Sequence, residues 1–113
     1  MGLESDAVSY YEKAISQGLS GNDLEGALIG LGSTYRTMGE YEKSKAVLEK
    51  GINIFPENRA IQVFYSMTLY NLGHHERSMA FLLKNLGETS NDQDITSYKK
   101  AILFYSDKLN TTW

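Results

Sequence analysis

Apolar side chains return every three or four positions along almost the whole chain, the spacing that gathers them on one side of an α-helix. From Asp23 the series Leu24, Leu28, Leu31, Tyr35 and Met38 steps by four, three, four and three. After Gly39 come Tyr41, Ala46, Val47, Leu48, Ile52 and Phe55, and beyond Pro56 come Ile61, Phe64, Tyr65, Thr68, Leu69 and Leu72. Met79, Phe81, Leu82, Leu83 and Leu86 form a fourth stripe, and Ile95, Tyr98, Ile102, Tyr105 and Leu109 a last one. No segment sustains the alternation of a strand. The pattern predicts six helices near residues 4–17, 22–38, 41–54, 57–72, 75–86 and 92–109. They would form an all-α antiparallel array with Leu28, Leu31, Tyr35, Leu48, Tyr65, Leu69 and Leu82 buried.

The punctuation between the stripes agrees. Gly39, Gly73 and Gly87 follow periodic segments, where a helix ends in a left-handed residue that glycine adopts at no steric cost. Asp6, Asn22, Glu40 and Asp92 are cap or first-turn candidates, since a side-chain acceptor or a negative charge suits the free N–H groups of a helix start. Pro56 cannot continue a helix but can open one, so "FPEN" at 55–58 reads as a joint between two helices.

A shift of 34 residues superimposes the chain on itself. Gly39 falls on Gly73, Glu42 on Glu76, Ser44 on Ser78, Leu48 on Leu82 and Lys50 on Lys84. Thr34 falls on Thr68, Tyr35 on Leu69, Met38 on Leu72, and Gly32 on Ser66, small for small. A unit begun at Glu25 reads Leu28, Leu31, Gly32, Tyr35, Gly39, Tyr41, Ser44, Leu48, Gly51 and Pro56. The next, from Arg59, reads Gln62, Tyr65, Ser66, Leu69, Gly73, Ser78 and Leu82, with Asn85 and Ser90 as departures.

These residues resemble the tetratricopeptide repeat, a 34-residue helix–turn–helix with a W/L-x2-L-G-x2-Y start and a closing proline. Asn85 and Ser90 stand where that family has alanine and proline. The resemblance implies one domain over residues 1–113, with complete repeats at 25–58 and 59–92. Residues 4–17 would be the second helix of a partial repeat, with Ala7, Tyr11 and Ala14 in its small–aromatic–small slots, joined by a linker "QGLSGND" about three residues longer than the pattern. The helix at 92–109 would be a cap, because Lys99 and Lys100 fall on core slots if the count is kept.

The resemblance further implies a short right-handed superhelical array whose first helices line a concave groove. Such a groove holds a peptide or helix of a partner protein, and the family reading is that of a scaffold or adaptor rather than an enzyme. The family's groove slots carry Gly26, Ile29, Ser33, Arg36 and Thr37 in the first unit and Ala60, Val63, Met67, Tyr70 and Asn71 in the second. Ile29, Ser33, Arg36, Thr37, Val63, Met67, Tyr70 and Asn71 are the expected partner-binding residues. A subclass clamps the C-terminal carboxylate of chaperone tails with Lys and Asn. Here Ile29, Ser33, Val63 and Met67 stand instead, so that activity is not inherited. What remains is an apolar groove with Arg36 as a possible anchor for an acid. The alternative is a self-associating structural or regulatory module whose groove is filled by its own last helix or by a second subunit. The first helix (Val8, Tyr10, Tyr11, Ala14, Ile15) and the last (Tyr98, Ile102, Phe104, Tyr105) carry broad apolar surfaces. Either a longer array continues them or they pair with another copy; a homodimer is the expectation.

Composition narrows the chemistry. The chain has 113 residues, 22% charged and 42% hydrophobic, with a net charge of −3 and no cysteine. Lys and Arg are scattered among more numerous acids, which argues against nucleic acid as a partner. No apolar run approaches the ~20 residues of a membrane span. Residues 1–11 have neither the basic start nor the apolar run of a signal peptide, and Ser5 is misplaced for myristoylation at Gly2. A cytoplasmic setting follows as an expectation.

No catalytic, cofactor or metal site emerges. "GALIGLGST" at 26–34 has the glycines of a phosphate loop, but no strand precedes it and helical spacing runs through Leu28, Leu31 and Tyr35. Gly32 is expected at a close helix crossing, which would also account for Gly26 and Gly30. His74 and His75 are adjacent, so on a helix they diverge instead of sharing a metal. The carboxylates are scattered, Ser and Thr lack a placed His partner, and Asn110-Thr111-Thr112 is a glycosylation acceptor only in a secreted chain. The eight tyrosines, led by Tyr11, Tyr35, Tyr65 and Tyr98, read as packing material, and Trp113 as frayed or docked.

Overall fold

A computed structural model describes residues 2–113. The described residues form helices and no strand: α1 (Gly2–Ser16), α2 (Gly21–Thr37), α3 (Tyr41–Ile54), α4 (Arg59–Asn71), α5 (His75–Thr89), α6 (Gln93–Ser97) and α7 (Lys99–Tyr105). Each of α1 to α4 packs on its successor, α2 also touches α4, and α7 packs on α5. The result is an elongated array of 48 × 29 × 20 Å.

The turns repeat in detail. Gly39 and Gly73 end α2 and α4 with φ of +81° and +83°, a region closed to most side chains. Just beyond them the Glu40 N–H donates to the Tyr35 carbonyl at 2.8 Å and the His74 N–H to the Leu69 carbonyl at 2.9 Å. Asn58 and Asp92, spaced as those glycines are, each cap a helix by accepting at 3.1 Å, from the Ile61 and Ile95 N–H respectively.

Several local expectations are corrected. Gly87 does not stop a helix: α5 runs through it to Thr89. It is small because a Cβ there would meet Leu103 Cδ2 at 3.2 Å, where α7 crosses. Asp6 lies beyond the first turn of α1, whereas Asn22 does fall in the first turn of α2 and Glu40 at the cap of α3, there without a side-chain bond. Pro56 sits in the turn before α4, whose first residue is Arg59. The single last helix is two, broken at Tyr98. A continuous helix would keep Lys99 and Lys100 in the slots that Tyr65 and Ser66 fill in α4, both buried. Burying two unpaired ammonium groups there would be costly, and both lysines are exposed.

Leu28, Leu31, Tyr35, Leu48, Tyr65 and Leu69 are buried as expected, together with Ala27 and Ile61. Leu82 is not: it is 39% exposed. Helix crossings are close where residues are small. A Cβ on Gly32 would meet Leu48 at 2.6 Å, and one on Gly30 would run into the Tyr11 ring. Gly26 has nothing within 4 Å of that position, so a crossing does not account for it. Two serines bind across the crossings with the same 34-residue offset: Ser44 Oγ donates to the Gly32 carbonyl (2.7 Å) and Ser78 Oγ to the Ser66 carbonyl (2.6 Å). Asn85, the departure from alanine, is buried in a polar network. Its amide donates to Gln62 at 3.0 Å and to the Phe81 carbonyl at 2.8 Å, while Arg59 reaches both its oxygen and Glu88.

Candidate partner-binding groove

Four of the expected groove residues converge. Arg36, on the last turn of α2, and Met67, Tyr70 and Asn71, on α4, line an open pocket of about 330 Å³ completed by Ser78 and Leu82 of α5. Helical spacing explains the gathering. Met67, Tyr70 and Asn71 lie three and four apart and share a face, and α2 touches α4. Arg36 and Tyr70 each sit just before a glycine stop, so the same local geometry presents both.

The electrostatics of the pocket are simple. Arg36 Nη1 donates to Asn71 Oδ1 at 3.3 Å, a neutral acceptor. Its Nε is buried with no partner. Among the described residues no carboxylate pairs with Arg36, whereas Arg59 is held by Glu88. Arg59 in turn keeps the Glu88 carboxyl below the usual range, chiefly by its hydrogen bond. Tyr70 is 60% exposed, with its ring 4.7 Å from that of His75 at an angle of 37°. Met67 and Leu82 add apolar surface on either side. A guanidinium without a counter-ion beside exposed apolar side chains can take an acidic group and an apolar one together.

The remaining expected residues are placed differently. Ile29 is half-buried against the core formed by Leu48, Ile61, Tyr65 and Leu69. Ser33 and Val63 are half-buried, and the Val63 carbonyl accepts from Ser66 Oγ at 2.6 Å. Thr37 donates to the Thr34 carbonyl and lines a separate pocket with Glu4, Ser5 and Met38. Sequence reasoning missed Leu82, assigned to the core, and His75, weighed only as a metal ligand. Both belong to α5, whose orientation over α4 has no local signature.

The glycines of residues 26–34 lie within α2, with no loop to cradle a phosphate. Among the described residues no three His, Cys, Asp or Glu side chains are grouped to hold a metal. No helix of the described residues is long and apolar enough to cross a membrane. The last helix, α7, packs on α5 and leaves the Arg36–Tyr70 pocket open.

The profile of the tetratrico peptide repeat family matches residues 1–109. No curated protein gives a significant match. The family generally provides protein-interaction modules without catalytic activity. With the recurring glycine caps, the serine crossings and a profile match spanning α1 to α7, the chain belongs to the tetratricopeptide repeat family.

Proposed function

We propose that the chain is a non-enzymatic scaffold that holds a peptide or helix of a partner protein in the groove along α2 and α4. In this reading residues 25–58 and 59–92 are its complete repeats, 4–17 is the second helix of a partial one, and 92–109 forms the cap. The observation that carries it is the pocket shared by Arg36, Met67, Tyr70 and Asn71, in which a cation without an acidic partner adjoins apolar surface. Arg36 anchors an acid, Met67, Tyr70 and Leu82 receive an apolar side chain, and Ile29, Ser33, Thr37 and Val63 flank the path. The scaffold works in the cytoplasm, needs no cofactor, and binds neither nucleic acid nor membrane.

Affinity purification from the native cell, with mass spectrometry, tests this reading. The parent should retain specific proteins that Tyr70→Ala and Arg36→Glu both lose, with thermal melting nearly unchanged. Unaltered retention by the two variants would remove the groove from consideration.

A second reading, self-association as a homodimer, is favoured by one feature. Phe104, Tyr105 and Trp113 form an exposed aromatic cluster, with ring centroids 5.0 to 6.1 Å apart. Exposed apolar clusters of this kind mark contact surfaces. Light scattering at micromolar concentration decides it, and a strict monomer discards it.

A further inference from the structure

A cleft of about 310 Å³ opens between α1 and α2, independent of the groove. Tyr10 and Tyr11 form one wall, their rings edge to face with centroids 5.4 Å apart at 74°. Leu19, Ala14 and Ala27 add apolar surface, and Asn22, Asp23 and Gly26 of α2 complete the lining. Tyr10 is 69% exposed, an aromatic ring left in water beside an open cavity.

Gly26 is the second observation. Within the helices, Gly30, Gly32, Gly51 and Gly87 each face a side chain that a Cβ would press, whereas Gly26 faces open space. Glycine is disfavoured in a helix interior, and here packing does not explain it. What its missing side chain does is keep the wall of the cleft clear.

Charge supplies the third. The first 25 residues carry Glu4, Asp6, Glu12, Asp23 and Glu25 against Lys13 alone, making this the acidic end of the chain. Glu12 accepts from Tyr35 and Glu25 from Asn58, so both are engaged. Asp23 makes no side-chain hydrogen bond or ion pair with any described residue.

Two tyrosine rings and one unengaged carboxylate around a small apolar cleft select a particular ligand. A neutral apolar group would leave the exposed Asp23 carboxylate unused, and an anion would be repelled by it. A hard metal cation wants a shell of oxygens that the cleft does not assemble. An alkylammonium ion suits this lining, since its charge is complementary to the carboxylate and to the tyrosine rings while its carbon surface matches Leu19, Ala14 and Ala27. We propose that this cleft binds an alkylammonium group.

The test is an NMR titration of the full chain with choline, and in parallel with 3,3-dimethylbutan-1-ol, its uncharged isostere. Choline should move the Gly26 amide and the Tyr10 and Tyr11 ring signals saturably, with the isostere at least about tenfold weaker. Asp23→Asn, on the surface, should weaken choline about fivefold or more with unchanged circular dichroism. Gly26→Leu should abolish binding by filling the cleft. Equal binding of the two probes, an unaffected Asp23→Asn variant, or no saturable shift would each overturn the proposal. A third titration, with Nε-trimethyl-lysine, separates the sources. Tighter binding than choline supports a modified lysine on a partner, and weaker binding supports a free small molecule.

Discussion

The Ser44 hydroxyl lies 2.7 Å from the Gly32 carbonyl and donates to it, with both residues buried between α3 and α2. Its single hydrogen is thereby committed, so the Thr68 hydroxyl, 2.8 Å from Ser44 Oγ and 3.5 Å from the Phe64 carbonyl, donates over the shorter distance to Ser44. A chain of two hydrogen bonds thus ties α4, α3 and α2 together where no water reaches. Ser78 repeats the first bond to Ser66, but Ile102 stands where a counterpart of Thr68 would fall.

Ser44→Ala should therefore cost more than Ser78→Ala. The first change strips the Gly32 carbonyl and the Thr68 hydroxyl of a partner, at about 1–3 kcal/mol. The second strips one carbonyl and should cost about 1 kcal/mol. Urea denaturation of the pair gives the comparison, and equal losses would show that the Thr68 hydroxyl turns fully to the Phe64 carbonyl, 3.5 Å away.

Two glycines of α2, six residues apart, give opposite predictions. Gly32→Leu drives a side chain into Leu48 and should destabilise by about 1–3 kcal/mol or more, a large part of the stability of a domain this size. Gly26→Ala meets nothing and should stabilise by about 0.5–1 kcal/mol through helix propensity. Thermal melting of both variants checks the register of the helix. A Gly32→Leu variant that melts like the parent would place Gly32 away from the crossing.

Tyr35 ties α2 to α1 by donating to Glu12 at 2.6 Å. That bond, helped by burial and by the charge of Glu12, pushes its phenol from an ordinary 10 up to about 12. In the unfolded chain the phenol ionises near 10 while the folded one is still protonated, so folding retains a proton there. The stabilisation is fully present below pH 10 and is lost as pH rises toward 12. Stability measured across that interval should fall more steeply in the parent than in Tyr35→Phe. Ultraviolet titration of the phenols should show one late-ionising tyrosine disappear in the variant.

Most of the fold was written in local chemistry. Gly39 and Gly73 announce left-handed turns, and the stripe through Leu28, Leu31 and Tyr35 announces a buried face; both depend on residues within a few positions. Leu82 was misjudged because the 34-residue shift equates it with fully buried Leu48. Leu48 has helices on both sides, but Leu82 lies beside the Arg36–Tyr70 pocket. Asn85 looked like a flaw in the repeat, and only the arrival of Gln62 and Arg59 from α4 makes it a satisfied core residue. The groove was legible to the same degree. Arg36, Met67, Tyr70 and Asn71 follow from helical spacing, while Thr37 turns toward Glu4 and Ser5 because α1 lies beside α2.

The break at Tyr98 supplies the last prediction. The 34-residue count is kept on both sides of it. Asp92 caps α6 as Asn58 caps α4, and α7 ends at Tyr105 in line with Asn71 and Thr37. What differs is Lys99 and Lys100, which are exposed, in slots where α4 has buried Tyr65 and Ser66. If the cost of burying two ammonium groups breaks the helix, removing the charges should mend it. The double variant Lys99→Tyr with Lys100→Ser copies the residues of α4. It is expected to run as one helix from Gln93 to Tyr105, with helical carbon chemical shifts at Tyr98 and slower exchange of the amides around it. Shifts at Tyr98 that stay non-helical would assign the break to the packing of α7 on α5 rather than to the lysines.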